Sequence, residues 1–116
     1  MTRGEIWLAD FGLPFGSESG FRRPILVVQD DDFNRSQIRT IVVLPFSTNL
    51  DLGLAPGNVL LEKEITGLSK DSVVVVSQVS AIDKTRLIAR ISTLESRYFP
   101  QVEEGMQLVL GTRRTP

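Results

Sequence analysis

Two common functional side chains are missing from this sequence altogether. There is no cysteine, so neither a disulfide framework nor a thiolate metal cluster can form, and nothing marks the chain for an oxidising compartment. There is no histidine, which removes the commonest general acid–base and the commonest metal ligand together. Any catalysis must then rest on Arg, Ser or Thr, Asp or Glu, or backbone groups. No apolar run approaches the roughly 18 residues of a membrane helix, and Met1 to Glu5 leads straight into a strand pattern. A cytoplasmic protein with no membrane contact is expected. Excess charge is lacking too: 13 Lys and Arg face 14 Asp and Glu, so a nucleic-acid site would have to be local rather than a property of the whole surface.

What is present is an ordinary globular composition. At 116 residues the chain can bury one hydrophobic core but not two, and a single domain over residues 1–112 with a frayed tail at 113–116 is expected. Short β-branched runs separated by turn residues predict an antiparallel sheet. Six strands can be placed, at Glu5–Asp10, Pro24–Gln29, Thr40–Leu44, Asn58–Leu61, Ser72–Val79 and Leu87–Ser92. In the first, Ile6 and Leu8 share one face and Glu5 and Trp7 the other. The second, PILVVQ, is continuously apolar and expected to be buried on both faces. Thr40–Leu44 and Ser72–Val79 are β-branched enough to be central strands.

Residues 12–20 are crowded with Gly, Pro and Ser and form a long loop, and residues 49–57 are expected to project as a mobile hairpin connection. One helix is expected near the C-terminus, where Phe99, Val102, Met106, Val109 and Leu110 recur at three- and four-residue spacing. Ser96 is its expected N-cap, Gly105 weakens its middle by about 1 kcal/mol relative to Ala, and Gly111 is placed to end it.

Three clusters offer chemistry. Gly16-Ser17-Glu18-Ser19-Gly20-Phe21-Arg22-Arg23-Pro24 is a loop that ends in two arginines where a buried strand begins. Pro24 biases Arg23 to extended backbone, so the strand fixes where its guanidinium points, and a fixed fork suits a phosphate. The same arginines also fit solvated strand-end charges, with Glu18 as a surface ion-pair partner. Pro45-Phe46-Ser47-Thr48-Asn49 reads either as an everyday turn or as a set of short donors for phosphate or sugar oxygens. Gln78, within DSVVVVSQVSAID, fits a base-edge contact as well as a satisfied strand end.

Over nearly its whole length the chain resembles the MazF/PemK/Kid family of type II toxin–antitoxin endoribonuclease toxins. The resemblance is carried by Gly4-Glu5-Ile6-Trp7, by Gly16-Ser17-Glu18 through Arg23-Pro24, by Phe33-Asn34-Arg35, by Pro45-Phe46-Ser47, and by Asp71-Ser72-Val73 through Gln78 to Ile82-Asp83. It implies an SH3-like small antiparallel β-barrel with a C-terminal α-helix, an α+β fold that agrees with the strands and helix read above. It also implies a homodimer, a MazE-like cognate antitoxin, and ribosome-independent, sequence-specific cleavage of single-stranded mRNA with no cofactor or metal.

In that family reaction the RNA 2′-hydroxyl attacks the adjacent phosphate, leaving a 2′,3′-cyclic phosphate and a 5′-hydroxyl. The resemblance carries catalytic roles to Arg23 and Ser47, with Glu18 in support, and RNA contacts to Arg22, Thr48, Asn49 and Gln78. The family commonly has Thr where Ser47 stands, so Ser47 and Thr48 remain alternative hydroxyls. The catalytic Asp and nearby Arg of the Kid branch fall at Ser77 and Val75, which disfavours an Asp-based mechanism. A gyrase-binding toxin of the related CcdB type is the alternative from another functional class, and a non-toxic SH3-like interaction module is a third.

Overall fold

β-branched and aromatic residues at alternating positions dictate most of the sheet. The computed structural model describes residues 1–12 and 21–112. It contains β1 (Glu5–Asp10), β2 (Arg22–Val27), α1 (Asp31–Arg35), β3 (Thr40–Ser47), β4 (Val59–Leu61), α2 (Lys63–Thr66), β5 (Ser72–Val74), β6 (Ser80–Asp83), β7 (Leu87–Thr93) and α3 (Phe99–Leu110). The antiparallel sheet runs β4-β5-β3-β2-β1-β7, with β6 also on β3. No pairing among the described residues joins β7 to β4, so the expected barrel is not closed. Phe99 and Val102 of α3 instead cover the inner face of the sheet, packing with Val59, Leu61, Val74 and Leu94.

β3 is the spine of this arrangement. Its first half pairs with β6, its last two residues pair with β5, and its other edge takes β2. The strand expected over Ser72–Val79 therefore ends at Val74, and a further strand beyond those expected, β6, begins at Ser80. A 3₁₀ turn at Val76–Gln78 separates them and carries the chain from one partner position on β3 to the other. The run is apolar enough for a strand, but Pro45 has no N–H to continue the ladder. Its carbonyl accepts the Val75 N–H at 2.9 Å where the chain turns.

Alternation then creates two apolar faces. Ile6, Leu26, Val28, Leu44 and Phe46 belong to the core beneath α3, while Ala9, Ile25, Val27, Ile41 and Val43 form a second cluster with Trp7, Phe11, Ile82 and Leu87 against it. Residues 25–28 are thus buried on both sides of the sheet, as their continuous apolar run implies. Trp7 faces the second cluster and its indole donates to Glu5 Oε1 at 3.0 Å, consistent with a face shared by Glu5 and Trp7.

Two loop expectations change. Residues 50–54 fold as a 3₁₀ turn capped by the Asn49 side chain, and the Asn58 amide donates to the Leu52 carbonyl at 3.0 Å, so this segment folds back on the sheet rather than projecting from it. Ser96 does not cap α3. It opens a short 3₁₀ turn, Ser96–Tyr98, that feeds directly into the helix, and Tyr98 takes the cap position with Pro100 in the first turn. Gly111 ends the helix at φ 70° as expected. No helix among the described residues is long and apolar enough to cross a membrane.

Gly105 has a packing role that its low helix propensity conceals. It is the point where α3 meets the chain before β4, and a Cβ there would overlap the Gly57 carbonyl oxygen. Gly57 sits at φ +89° and is itself poorly replaceable. Gly105→Ala should therefore lower stability by about 1–3 kcal/mol through overpacking, even though Ala is the better helix former. Urea unfolding of the two proteins measures the difference.

Carboxylates anchor the N-terminal segment. The Arg3 N–H donates to Asp31 Oδ1 at 2.7 Å and the Asn34 amide to the same oxygen at 3.0 Å, and together these hold the Asp31 carboxyl below its ordinary range. Burial pushes the Glu5 carboxyl up, but donation from the Trp7 indole and the Thr2 backbone outweighs it and leaves Glu5 lowered as well. Carboxylates depressed in the folded state stabilise it above their unfolded pKa, and that contribution is lost as pH falls through the folded value. The urea midpoint should fall as pH drops from about 5 to about 3, and Asp31→Asn should flatten that slope, since Asn keeps an acceptor but not the charge.

Candidate active site

At one end of the second apolar face the sheet opens into a cleft of about 430 Å³. Its floor is Ile25, Val43 and Pro45, and its walls include Phe11, Phe21, Leu52 and Val75. The polar side chains lining it are Arg23, Ser47, Gln78 and Ser80, and no Asp or Glu among the described residues joins them. Strand alternation explains the selection. Arg23 and Ile25 share a face of β2, and Val43, Pro45 and Ser47 share the matching face of β3. Ile25 pairs with Pro45, so Arg23 and Ser47 each stand two residues beyond that pair, on adjacent strands and on the same side.

Each group has a definable electrostatic state. Arg23 is exposed, and its guanidinium carbon lies 4.2 Å from the centroid of the Phe21 ring. Phe21 in turn meets Phe11 edge-on, with ring centroids 6.5 Å apart. Ser47 Oγ accepts the Asn49 N–H at 3.1 Å, which leaves the hydroxyl proton available to donate outward. Gln78 ends the 3₁₀ turn between β5 and β6 and is exposed. The arrangement is one permanent cation and several neutral donors around an apolar floor, a combination suited to an anionic, partly aromatic ligand.

Of the residues singled out from sequence, Arg23, Ser47 and Gln78 come together in this cleft. Arg22, Thr48 and Asn49 are exposed but outside its lining. Arg22 alternates to the other face of β2, Thr48 lies just beyond the end of β3, and the Asn49 side chain accepts the Asp51 N–H at 3.2 Å as a turn cap. Glu18 lies outside the described residues. Ser77 is turned away toward Asn58, whose Oδ1 accepts its N–H at 3.2 Å. Sequence reading missed Ser80, Phe11 and Phe21. Ser80 was hidden because the strand break after Val75 has no Gly or Pro to mark it, and the aromatics because a Phe beside a glycine-rich loop carries no signal of its own.

The carboxylates with lowered pKa, Glu5, Asp31 and Asp83, lie elsewhere on the molecule. Among the described residues no three acidic side chains gather as a metal-ligating group.

Comparison with known proteins gives the family and the fold. Residues 2–110 match the family model described as PemK-like, MazF-like toxin of type II toxin–antitoxin system. The chain is 37% identical to endoribonuclease MazF2 of Mycobacterium bovis over 110 residues, covering 95% of this chain and 96% of that protein. It is 33% identical to endoribonuclease EndoA of Bacillus subtilis over 111 residues, covering 96% and 95% respectively. Among solved structures, a MazE–MazF complex from Deinococcus radiodurans matches with a TM-score of 0.80 at 21% identity, over 97% of each chain. A mycobacterial endoribonuclease in complex with its cognate antitoxin matches at 0.75 and 18% identity, over 99% of each. These structural likenesses establish the fold, and the family match sets aside the gyrase-binding alternative. With its sheet, its C-terminal helix and nearly every residue from 2 to 110 accounted for, the chain belongs to the PemK-like, MazF-like toxins of type II toxin–antitoxin systems.

Proposed function

We propose that this toxin is an endoribonuclease that cuts single-stranded mRNA in the cleft between β2 and β3, using the substrate's own 2′-hydroxyl as nucleophile. The observation that carries the reading is the pairing of Arg23 with Ser47 on one face, with no acidic side chain among the described residues beside them. The 2′-oxygen loses its proton and forms a bond to the adjacent phosphorus, the bond from phosphorus to the 5′-oxygen breaks, and the leaving 5′-oxygen takes a proton from solvent, giving a 2′,3′-cyclic phosphate and a 5′-hydroxyl. Arg23 stabilises the charge that builds on the phosphoryl oxygens, since a guanidinium stays protonated throughout. The Ser47 hydroxyl, held from behind by the Asn49 N–H, donates to a phosphoryl oxygen. Ser47 is favoured over Thr48 because it shares the Arg23 face.

Glu18 is assigned the 2′-hydroxyl proton on the sequence resemblance alone, and Gln78 a base edge. Arg22, Thr48 and Asn49 are assigned to flanking RNA outside the cleft. No step calls for a bound metal. The toxin acts in the cytoplasm, where mRNA is found, and a cognate antitoxin with an acidic segment would block the cleft by covering Arg23.

Arg23→Ala and Ser47→Ala should each lower kcat by at least about a hundredfold with folding intact, because neither side chain lies in the core. A deoxy sugar immediately 5′ of the scissile phosphate should abolish cutting, while the all-RNA oligonucleotide is still cut in excess EDTA. Cleavage of the deoxy substrate, or a requirement for magnesium, rules out this chemistry.

The assembly is proposed to be a homodimer, supported by apolar surface left exposed by Leu60 and Leu108 on either side of the groove between β4 and α3. Sedimentation at micromolar concentration should give a dimer, and Leu108→Glu should shift it toward monomer.

A further inference from the structure

Resting on that reading of Arg23, we propose that Phe21 is its positioning residue: the ring holds the guanidinium over the cleft from one face and leaves its N–H donors free for the phosphate. An exposed Arg on a long flexible stem must otherwise be ordered as charge builds on the phosphoryl oxygens in the transition state, at a cost in rotamer entropy that falls on kcat. Proteins commonly order an Arg with a carboxylate, but that neutralises the charge and occupies the donors the phosphate needs. An aromatic face attracts the cation through its quadrupole while accepting none of its in-plane hydrogen bonds. Here the guanidinium carbon sits 4.2 Å from the Phe21 centroid. Among the described residues Arg23 makes no ion pair, and none of its side-chain donors is engaged in a hydrogen bond.

The ring is itself fixed. Phe21 accepts the Phe11 N–H and donates its own N–H to the Gly12 carbonyl, both at 2.8 Å. The Phe11 ring stands edge-on against it. Phe21, Arg23 and Ile25 follow one another on one face at two-residue spacing, so the stack continues the face that lines the cleft. Phe21 is nonetheless 40% exposed, and little of its area contributes to the core.

A series of ring-fluorinated phenylalanines at position 21 tests this without changing the shape of the site. Each fluorine weakens the negative face of the ring. The kcat for RNA cleavage should fall step by step with fluorine number, reaching roughly threefold to tenfold at the trifluoro ring. KM, and the Kd for the uncleavable deoxy-containing oligonucleotide, should stay within about twofold. Phe21→Leu should resemble the most fluorinated ring, and Phe21→Trp should restore kcat. A kcat indifferent to fluorination overturns the proposal, as does a rise in KM and Kd at constant kcat, which would make Phe21 a stacking platform for a base. Arg23→Ala measured in parallel keeps the premises apart: wild-type cleavage by that variant removes the role of Arg23 itself, whatever the fluorinated series shows.

Discussion

Pro45 can accept a hydrogen bond but cannot donate one, and much of this architecture follows from that residue sitting near the end of the longest strand. Before it, β3 is paired by β6. After it, β3 is paired by β5. One continuous stretch of sequence, residues 72–83, supplies both partners and must turn aside between them, which it does through the 3₁₀ turn at Val76–Gln78 with its entry pinned to the Pro45 carbonyl. The cleft lies where that turn leaves the sheet. Gln78 ends the turn, Ser80 follows it and Ser47 ends the strand beside it, so the missing backbone donor of Pro45 leads to a local interruption where polar side chains gather.

The charge distribution follows a similar economy. A chain with no appreciable net charge cannot draw a polyanion from a distance, so recognition has to come from short-range geometry. The cleft supplies it with a single cation that is neither buried nor paired with acid among the described residues. The aromatic pair of Phe11 and Phe21 orders that cation without neutralising it. Two of the acidic residues with lowered pKa, Asp31 and Glu5, lie outside the cleft and tie the N-terminal segment to α1 and β7.

α3 seals the opposite face. Its docking depends on two glycines, Gly57 and Gly105, that let backbone approach backbone, and on Phe99 and Val102 entering the core. The helix thus stands in for the strand pairing that would have closed a barrel. It leaves Leu108 and neighbouring Leu60 on the outside, an apolar edge to the groove against β4.

The sequence by itself determined six of the seven strands, the position and C-terminal cap of the helix, the double-sided burial of residues 25–28 and, through its ordered motifs, the family. These are properties of local periodicity and of residue types that admit few alternatives. It also pointed to Arg23, Ser47 and Gln78, yet it could not bring them together, because strand register and the 3₁₀ break in residues 72–83 are long-range pairing decisions with no Gly or Pro to announce them. Tertiary structure alone separated Arg23 from Arg22, since a strand sends neighbouring side chains to opposite faces and only the packed sheet decides which face opens to the cleft, and it placed Ser47 at the last position of β3 in the cleft lining with Thr48 beyond it. It alone showed the Phe21 ring against Arg23, a contact between an exposed aromatic and a cation that becomes meaningful only when both stand over the same cleft.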